Sequence, residues 1–171
     1  MKIVEITSEN EFDYRKFFLQ GLLEHQDFFR ISPDDELRAA MFPTQNEPDS
    51  FTLGAISDDD SGEDEKLLGV VSFEREGATR EKLRHKGLLF RMYVAKTAAG
   101  RGIGKILIRE VIDRARALGD IEQINLTVVG ANERAKGLYA SFGFQSFSVE
   151  KNAIKYKGRY FDEETMVLFL Q

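Results

Sequence analysis

The chain has 171 residues, 42% of them hydrophobic and 31% charged, with no cysteine and only two histidines. That composition excludes disulfides, thiolate metal sites and a cysteine nucleophile, and it offers nothing for a histidine-rich metal centre. A net charge of −5 argues against a broad nucleic-acid footprint, and no apolar run approaches the roughly 20 residues that cross a bilayer.

The opening MKIVEIT alternates apolar and polar residues as a half-buried strand does. It is followed by acidic residues rather than a signal peptide's apolar region, so a cytoplasmic address is the default expectation. Ser8 through Glu24 carries Phe12, Phe17, Leu19, Leu22 and Leu23 on a helical pattern. Ser32-Pro33-Asp34-Asp35 then has the chemistry of a helix start: a capping hydroxyl, proline at the first helical position, and carboxylates in the first turn. That short helix should end before Pro43. The runs FTLGAIS and LLGVVSFERE read as strands separated by DDDSGEDEK. This separator lacks the spacing of a calcium loop and is expected to be a solvated hairpin tip holding Glu63, Asp64 and Glu65.

GLLFRMYV (87–94) completes an antiparallel set. From Gly102 the period changes: Ile103, Ile106, Leu107, Val111, Ala115 and Leu118 recur at helical spacing, with Gly119 as a stop signal. IEQINLTVV is a strand, NERAKGLYASF a helix capped by Asn132, and GFQSFSVEKNAI and RYFDEETMVLFL two closing strands. One domain over residues 1–171 accommodates all of these elements.

The stretch AGRGIGKILI (99–108) raises the question of phosphate binding. It lacks the third glycine of a dinucleotide fingerprint, because Lys105 and Leu107 stand in the available places. It is also not a P-loop, since Ile106 follows Lys105. Glycines opening an amphipathic helix after a strand nevertheless leave backbone N–H groups free and let an anion approach. The helix dipole, Arg101 and Lys105 add positive potential, so a pyrophosphate suits the site. A helix start with no ligand is the competing reading.

Together, VAKTAAGRGIGKIL and VVGANERAKGLYASFGF resemble the GCN5-related N-acetyltransferase (GNAT) superfamily. Gly102 and Gly104 match the family's glycine positions, Gly100 its small one, Asn132 and Tyr139 its Asn-x6-Tyr pair, and 142–144 its helix-to-strand turn. The resemblance covers 66–170 well and 1–65 only in the order of elements. It implies an α+β, three-layer GNAT-like fold: a mixed, mostly antiparallel sheet of about seven strands with about four helices, whose fourth and fifth strands splay apart. It further implies acetyl-coenzyme A as cofactor, with its pyrophosphate on Ala99, Gly100, Arg101, Gly102, Ile103, Gly104 and Lys105. The pantetheine arm would then run along the backbone of Met92 and Val94, with Asn132 and Tyr139 also in contact. Ala99 departs from the family's usual Arg or Gln, a contact that Arg101 or Lys105 could replace.

Acetyl transfer to an amine needs a neutral nucleophile, a polarised thioester carbonyl and a proton for the leaving thiolate. Tyr139 matches the acid, with a core aromatic as the plain structural reading. The base is less defined, because Thr127 and Leu88 occupy the two strand positions where relatives carry glutamate. Glu74 at the end of the third strand is the candidate, acting through water, with a solvated strand end as the plain structural reading. His85 reads as a surface residue, and His25 as helix surface or lining of the acceptor mouth. Residues 9–42 and 76–86 would frame the acceptor pocket, with Phe28, Phe29 and Phe42 supplying apolar walls. The expected acceptor is a small-molecule or peptide amine, with neither nucleic acid, membrane nor metal involved and the chain a monomer or homodimer. A catalytically idle acyl-coenzyme A-binding module and a plain interaction domain are the alternatives.

Overall fold

The computed structural model describes residues 1–39, 44, 49–57 and 66–170. Phe42, Pro43 and the acidic tip with Glu63, Asp64 and Glu65 lie outside these residues. The elements run β1 (Lys2–Ile6), α1 (Glu11–Glu24), α2 (Pro33–Arg38), β2 (Phe51–Ile56), β3 (Leu67–Glu76), β4 (Lys86–Val94), α3 (Ile103–Ala117), β5 (Gln123–Val129), α4 (Glu133–Ala140), β6 (Gln145–Tyr156) and β7 (Arg159–Phe169). Short 3₁₀ turns at Gln26–Phe28 and Lys96–Ala98 follow α1 and β4. Helix α1 starts at Glu11 rather than Ser8, because Asn10 turns back to accept a hydrogen bond from Thr7 N–H at 2.7 Å. The expected start of α2 is a reciprocal cap: Asp35 N–H donates to Ser32 Oγ, and Ser32 N–H donates to the Asp35 carboxylate.

The seven strands form one mixed sheet in the order β1-β2-β3-β4-β5-β7-β6, antiparallel except where β4 meets β5. Strand alternation sends Val71, Phe73, Leu89, Ile124, Leu126 and Met166 to one face. There they bury Ile103, Leu107, Ile108 and Val111 of α3 and Tyr139 of α4. The opposite face, through Val70 and Tyr93, buries Tyr14, Phe18 and Leu22 of α1. The molecule therefore has three layers, with core on both faces of the sheet. Ile106 is 40% exposed despite its place in the apolar period, because it stands at the margin of the buried stripe of α3. Among the described residues no helix is long and apolar enough to cross a membrane.

Two irregularities shape the centre of the sheet. Parallel pairing of β4 with β5 covers only Lys86↔Gln123, Gly87↔Ile124 and Leu88↔Asn125, after which the strands part. On its other edge β4 carries an extra residue, since its register with β3 moves from Ser72↔Phe90 to Val70↔Tyr93. The bulge places Arg91 at φ 51°, a left-handed conformation costing roughly 1–2 kcal/mol for a residue with a Cβ. Its guanidinium offsets that cost: Nη1 lies 2.7 Å from Glu36 Oε2 on α2, and the group stacks 4.8 Å over the Phe18 ring.

Glu36 is 3% exposed, so its charge depends on this one partner. Arg91→Met should therefore destabilise the fold by about 3 kcal/mol in urea denaturation, the cost of stranding a buried carboxylate. Adding Glu36→Met should recover a large part of that loss. If the double variant were no more stable than the single one, the pair would not hold α2 to the bulge.

Candidate active site

The chain leaves β4 through the Lys96–Ala98 turn and reaches α3 through four residues, Ala99, Gly100, Arg101 and Gly102, all exposed. Gly100 and Gly102 adopt φ 79° and 77°, and a Cβ built on either would meet no atom within 4 Å. The first helical bond of α3 runs from Ile106 N–H to Gly102 C=O at 3.1 Å. The N–H groups of Ile103, Gly104 and Lys105 thus have no acceptor one turn back. Lys105 is exposed, and Ile103 is buried and anchors the turn to the core. Gly104 sits where a Cβ would come 3.0 Å from Leu138 and 3.3 Å from Met92, with Val94 next at 3.9 Å. The glycine turn, the end of β4 and helix α4 therefore converge on the upper end of the β4–β5 gap.

On α4, Asn132 caps the helix by accepting from Ala135 N–H at 3.2 Å, which engages only the oxygen of its side chain. Two turns on, Tyr139 is 6% exposed and packs edge-on against Phe144, with ring centroids 5.9 Å apart. Burial alone raises its phenol well above the ordinary value of 10, so the hydroxyl keeps its proton at any physiological pH. Glu74 is half-buried on β3, on the face covered by α1 and α2, cross-strand from Leu88 at the closed end of the gap. It is not a free carboxylate, and β4 stands between it and the gap.

On that same face, a cavity of about 460 Å³ opens between the end of α1 and the tip of the β6–β7 hairpin. Its walls include Glu24, His25, Asp27, Phe28, Tyr156 and Arg159. The two walls are tied together by Arg159 to Asp27 at 2.9 Å and by Lys157 to Gln26 at 2.9 Å. His25 lines the cavity, and so does Phe28, which is 41% exposed. Phe29 instead belongs to the core, edge-on to Phe18 and against Tyr93. Residues 76–86, expected to frame the pocket, connect β3 to β4 at the sheet's other end. Arg75 and Arg84 tie that connection to Asp120 instead.

Tyr93 was not singled out from the sequence. It donates to Glu24 Oε2 at 3.1 Å, and burial followed by that carboxylate pushes its phenol up to about 12. No motif marks it, since it occupies one more aromatic position of an alternating strand.

A profile described as Acetyltransferase (GNAT) family matches residues 19–144. Among curated relatives, a mycothiol acetyltransferase of Beutenbergia cavernae is 30% identical over 121 residues, 66% of this chain and 40% of the relative. A phosphinothricin N-acetyltransferase of Streptomyces coelicolor is 35% identical over 71 residues, 42% of this chain and 41% of the relative. The chain thus spans about two fifths of these relatives' length. A GNAT-family acetyltransferase structure from Streptococcus pneumoniae superposes with TM-score 0.81 at 23% identity, covering 99% of each chain. Arabidopsis thaliana NAA60, solved in complex with acetyl-CoA, gives 0.73 at 19% identity over 99% of this chain and 98% of that one.

The raised phenols carry a pH consequence. Unfolded tyrosines lose their protons near 10, while Tyr93 in the folded chain holds its proton to about 12. Stability should be undiminished below pH 10 and fall as pH rises from 10 to 12. Tyr93→Phe should flatten that fall in urea titrations across the range. An unchanged slope would show that Tyr93 ionises as freely as in the unfolded chain.

Proposed function

Because this chain belongs to the GNAT acetyltransferase family, we propose that it transfers an acetyl group from acetyl-coenzyme A to a primary amine. The amine belongs to a small molecule or a peptide and attacks directly while both substrates are bound. One observation carries the reading: two glycines in the left-handed region, with open space around both, at the N-terminus of a 15-residue helix that abuts a parted pair of strands. The residues fit the donor. Backbone N–H groups of residues 102–105 would hold the pyrophosphate, helped by the dipole of α3 and by the exposed Arg101 and Lys105. Ala99 is exposed in an extended conformation, so the cradle's backbone donors do not depend on its side chain. The edge of β4 around Met92 and Val94, unpaired with β5, would bind an extended pantetheine arm as a strand binds a strand.

Acetyl-coenzyme A supplies the activated acyl group, and the chain's residues manage the protons. Tyr139 would place its neutral hydroxyl as a hydrogen-bond donor to the departing sulfur. Its raised pKa makes full proton transfer unfavourable until the thiolate is itself desolvated, so much of its contribution is stabilisation of developing charge. Asn132 fixes the start of α4 and thereby the height of Tyr139 along the gap. The acceptor would enter from the cavity between α1 and the β6–β7 tip, where Glu24 and Asp27 suit a cationic amine. Its ammonium proton must pass to a carboxylate on that face, and Glu74 could receive it only through water.

Calorimetry and thiol release against a panel of amines test this reading. Coenzyme A should bind the wild-type chain, and Gly102→Ala should weaken binding at least tenfold, a loss of about 1.4 kcal/mol or more. Tyr139→Phe should bind the donor normally and lower kcat by about 10²–10⁴. Absence of coenzyme A binding would sink the proposal, and binding without turnover of any amine would leave an acyl-coenzyme A-binding module.

A further inference from the structure

The mechanism above leaves one buried charge without a task. Glu163 on β7 is 4% exposed, and its Oε2 is fully buried with no directed hydrogen bond among the described residues. Its register partner is Val129, and the next pair on the same face is Thr127↔Thr165. Leu126 and Val128 point into the α3 core, so Thr127 and Glu163 face the opposite way, toward the α1 side of the sheet. Thr127 is two residues beyond Asn125, the last residue of β5 to pair with β4, and so it edges the gap. Thr127 and Glu163 are thus diagonal neighbours on one face of the β5–β7 ladder, and the Thr127 hydroxyl acts to lower the Glu163 pKa.

We propose that Glu163, reached through the hydroxyl of Thr127 at the edge of the gap, takes the proton from the acceptor amine. The inference rests on the acetyl-transfer reading. An ammonium N–H bond breaks, its proton passes to the Thr127 oxygen, and the Thr127 hydroxyl proton passes to Glu163. The freed nitrogen pair forms the C–N bond as the C–S bond breaks, and the thiolate, hydrogen-bonded by Tyr139, takes the second nitrogen proton. Glu163 returns its proton to solvent, which balances the one proton released per transfer.

The surroundings suit a base. Burial raises the pKa of Glu163, Arg30 opposes that rise, Glu150 on β6 adds to it, and the Thr127 hydroxyl lowers it. Arg30 Nε stands 2.8 Å from Oε2 but is 65% exposed, against 5% for the glutamate side chain. It supplies countercharge without a directed hydrogen bond and can swing away without unpacking the core. Glu164 faces the other way and pairs with Lys136 at 3.3 Å, so it does not compete. Glu163 is separated from the gap by β5 alone, and Thr127 spans that distance. Glu74 stands the same single strand away on the other flank, across β4.

The test compares two nucleophiles: benzylamine, protonated at neutral pH, and hydroxylamine, largely unprotonated there. Glu163→Gln should lower kcat/KM for benzylamine about 100-fold, in the range of general-base loss, and change hydroxylamine little. Thr127→Val should show the same selective loss, which Thr127→Ser restores. Arg30→Gln should move the acidic limb of the benzylamine pH profile to higher pH, because it removes a charge that favours the carboxylate. Equal losses with both nucleophiles, an unmoved limb, or the selective pattern in Glu74→Gln instead would overturn the proposal. So would a wild-type chain that binds acetyl-coenzyme A by calorimetry and uses neither nucleophile. Failure to bind acetyl-coenzyme A at all would mark the failure of the acetyl-transfer reading itself.

Discussion

Beyond Leu88 and Asn125, strands β4 and β5 stop exchanging hydrogen bonds, and the candidate site follows from that break. A parallel pair in the middle of a sheet normally keeps its ladder, because unpaired buried N–H and C=O groups are costly. Here three paired residues hold the strands at one end, and the other end presents backbone edges that an extended ligand can satisfy. The connection from β4 to β5 runs through the glycine turn and α3, so the positive helix terminus arrives at the open end of the gap. Gly104 marks the convergence, having room for no side chain between α3, Leu138 and Met92 without displacement.

The gap stays open because each flank is held separately. On one flank the bulge at Arg91 twists β4, and the Arg91–Glu36 pair ties that twist to α2 across the α1 layer. On the other, β5 is fully laddered to β7, whose long hairpin with β6 curls its tip onto the end of α1. The cavity between α1 and the β6–β7 tip is thus walled by chain segments about 130 residues apart in sequence. Its charged lining is held by exposed ion pairs worth little individually. Those walls can adjust to a ligand while the core beneath does not.

The chemistry divides by sheet face. The α3/α4 side carries the glycine turn with its helix N-terminus and a tyrosine kept neutral by burial. The α1 side carries the carboxylates Glu24, Asp27 and Glu163 and the second high-pKa phenol, Tyr93. A donor entering along the gap would meet a hydrogen-bond donor on one side and proton acceptors on the other. That separation is what direct transfer between two bound substrates requires: charge develops at the sulfur on one side while the nitrogen sheds its proton on the other.

Local signals were legible in the sequence. Period-2 and period-3.6 patterns located the strands and helices, the Ser32 cap and Gly119 stop marked ends, and the glycines before Ile103 marked the turn that opens α3. Each of these depends on residues within a few positions of one another, so the chain carries them without knowledge of its neighbours. Glu163 was not legible. In RYFDEETMVLFL it is one of two adjacent glutamates, and nothing local says that Glu163 is buried beside Thr127 while Glu164 pairs outward with Lys136. The alternation of β7 separates the pair, and the register with β5 decides which one faces the gap. Tyr93, the Arg91 bulge and the pocket wall from the β6–β7 tip were hidden for the same reason. Burial and pKa are set by groups distant in sequence, and only the packed sheet brings those groups together.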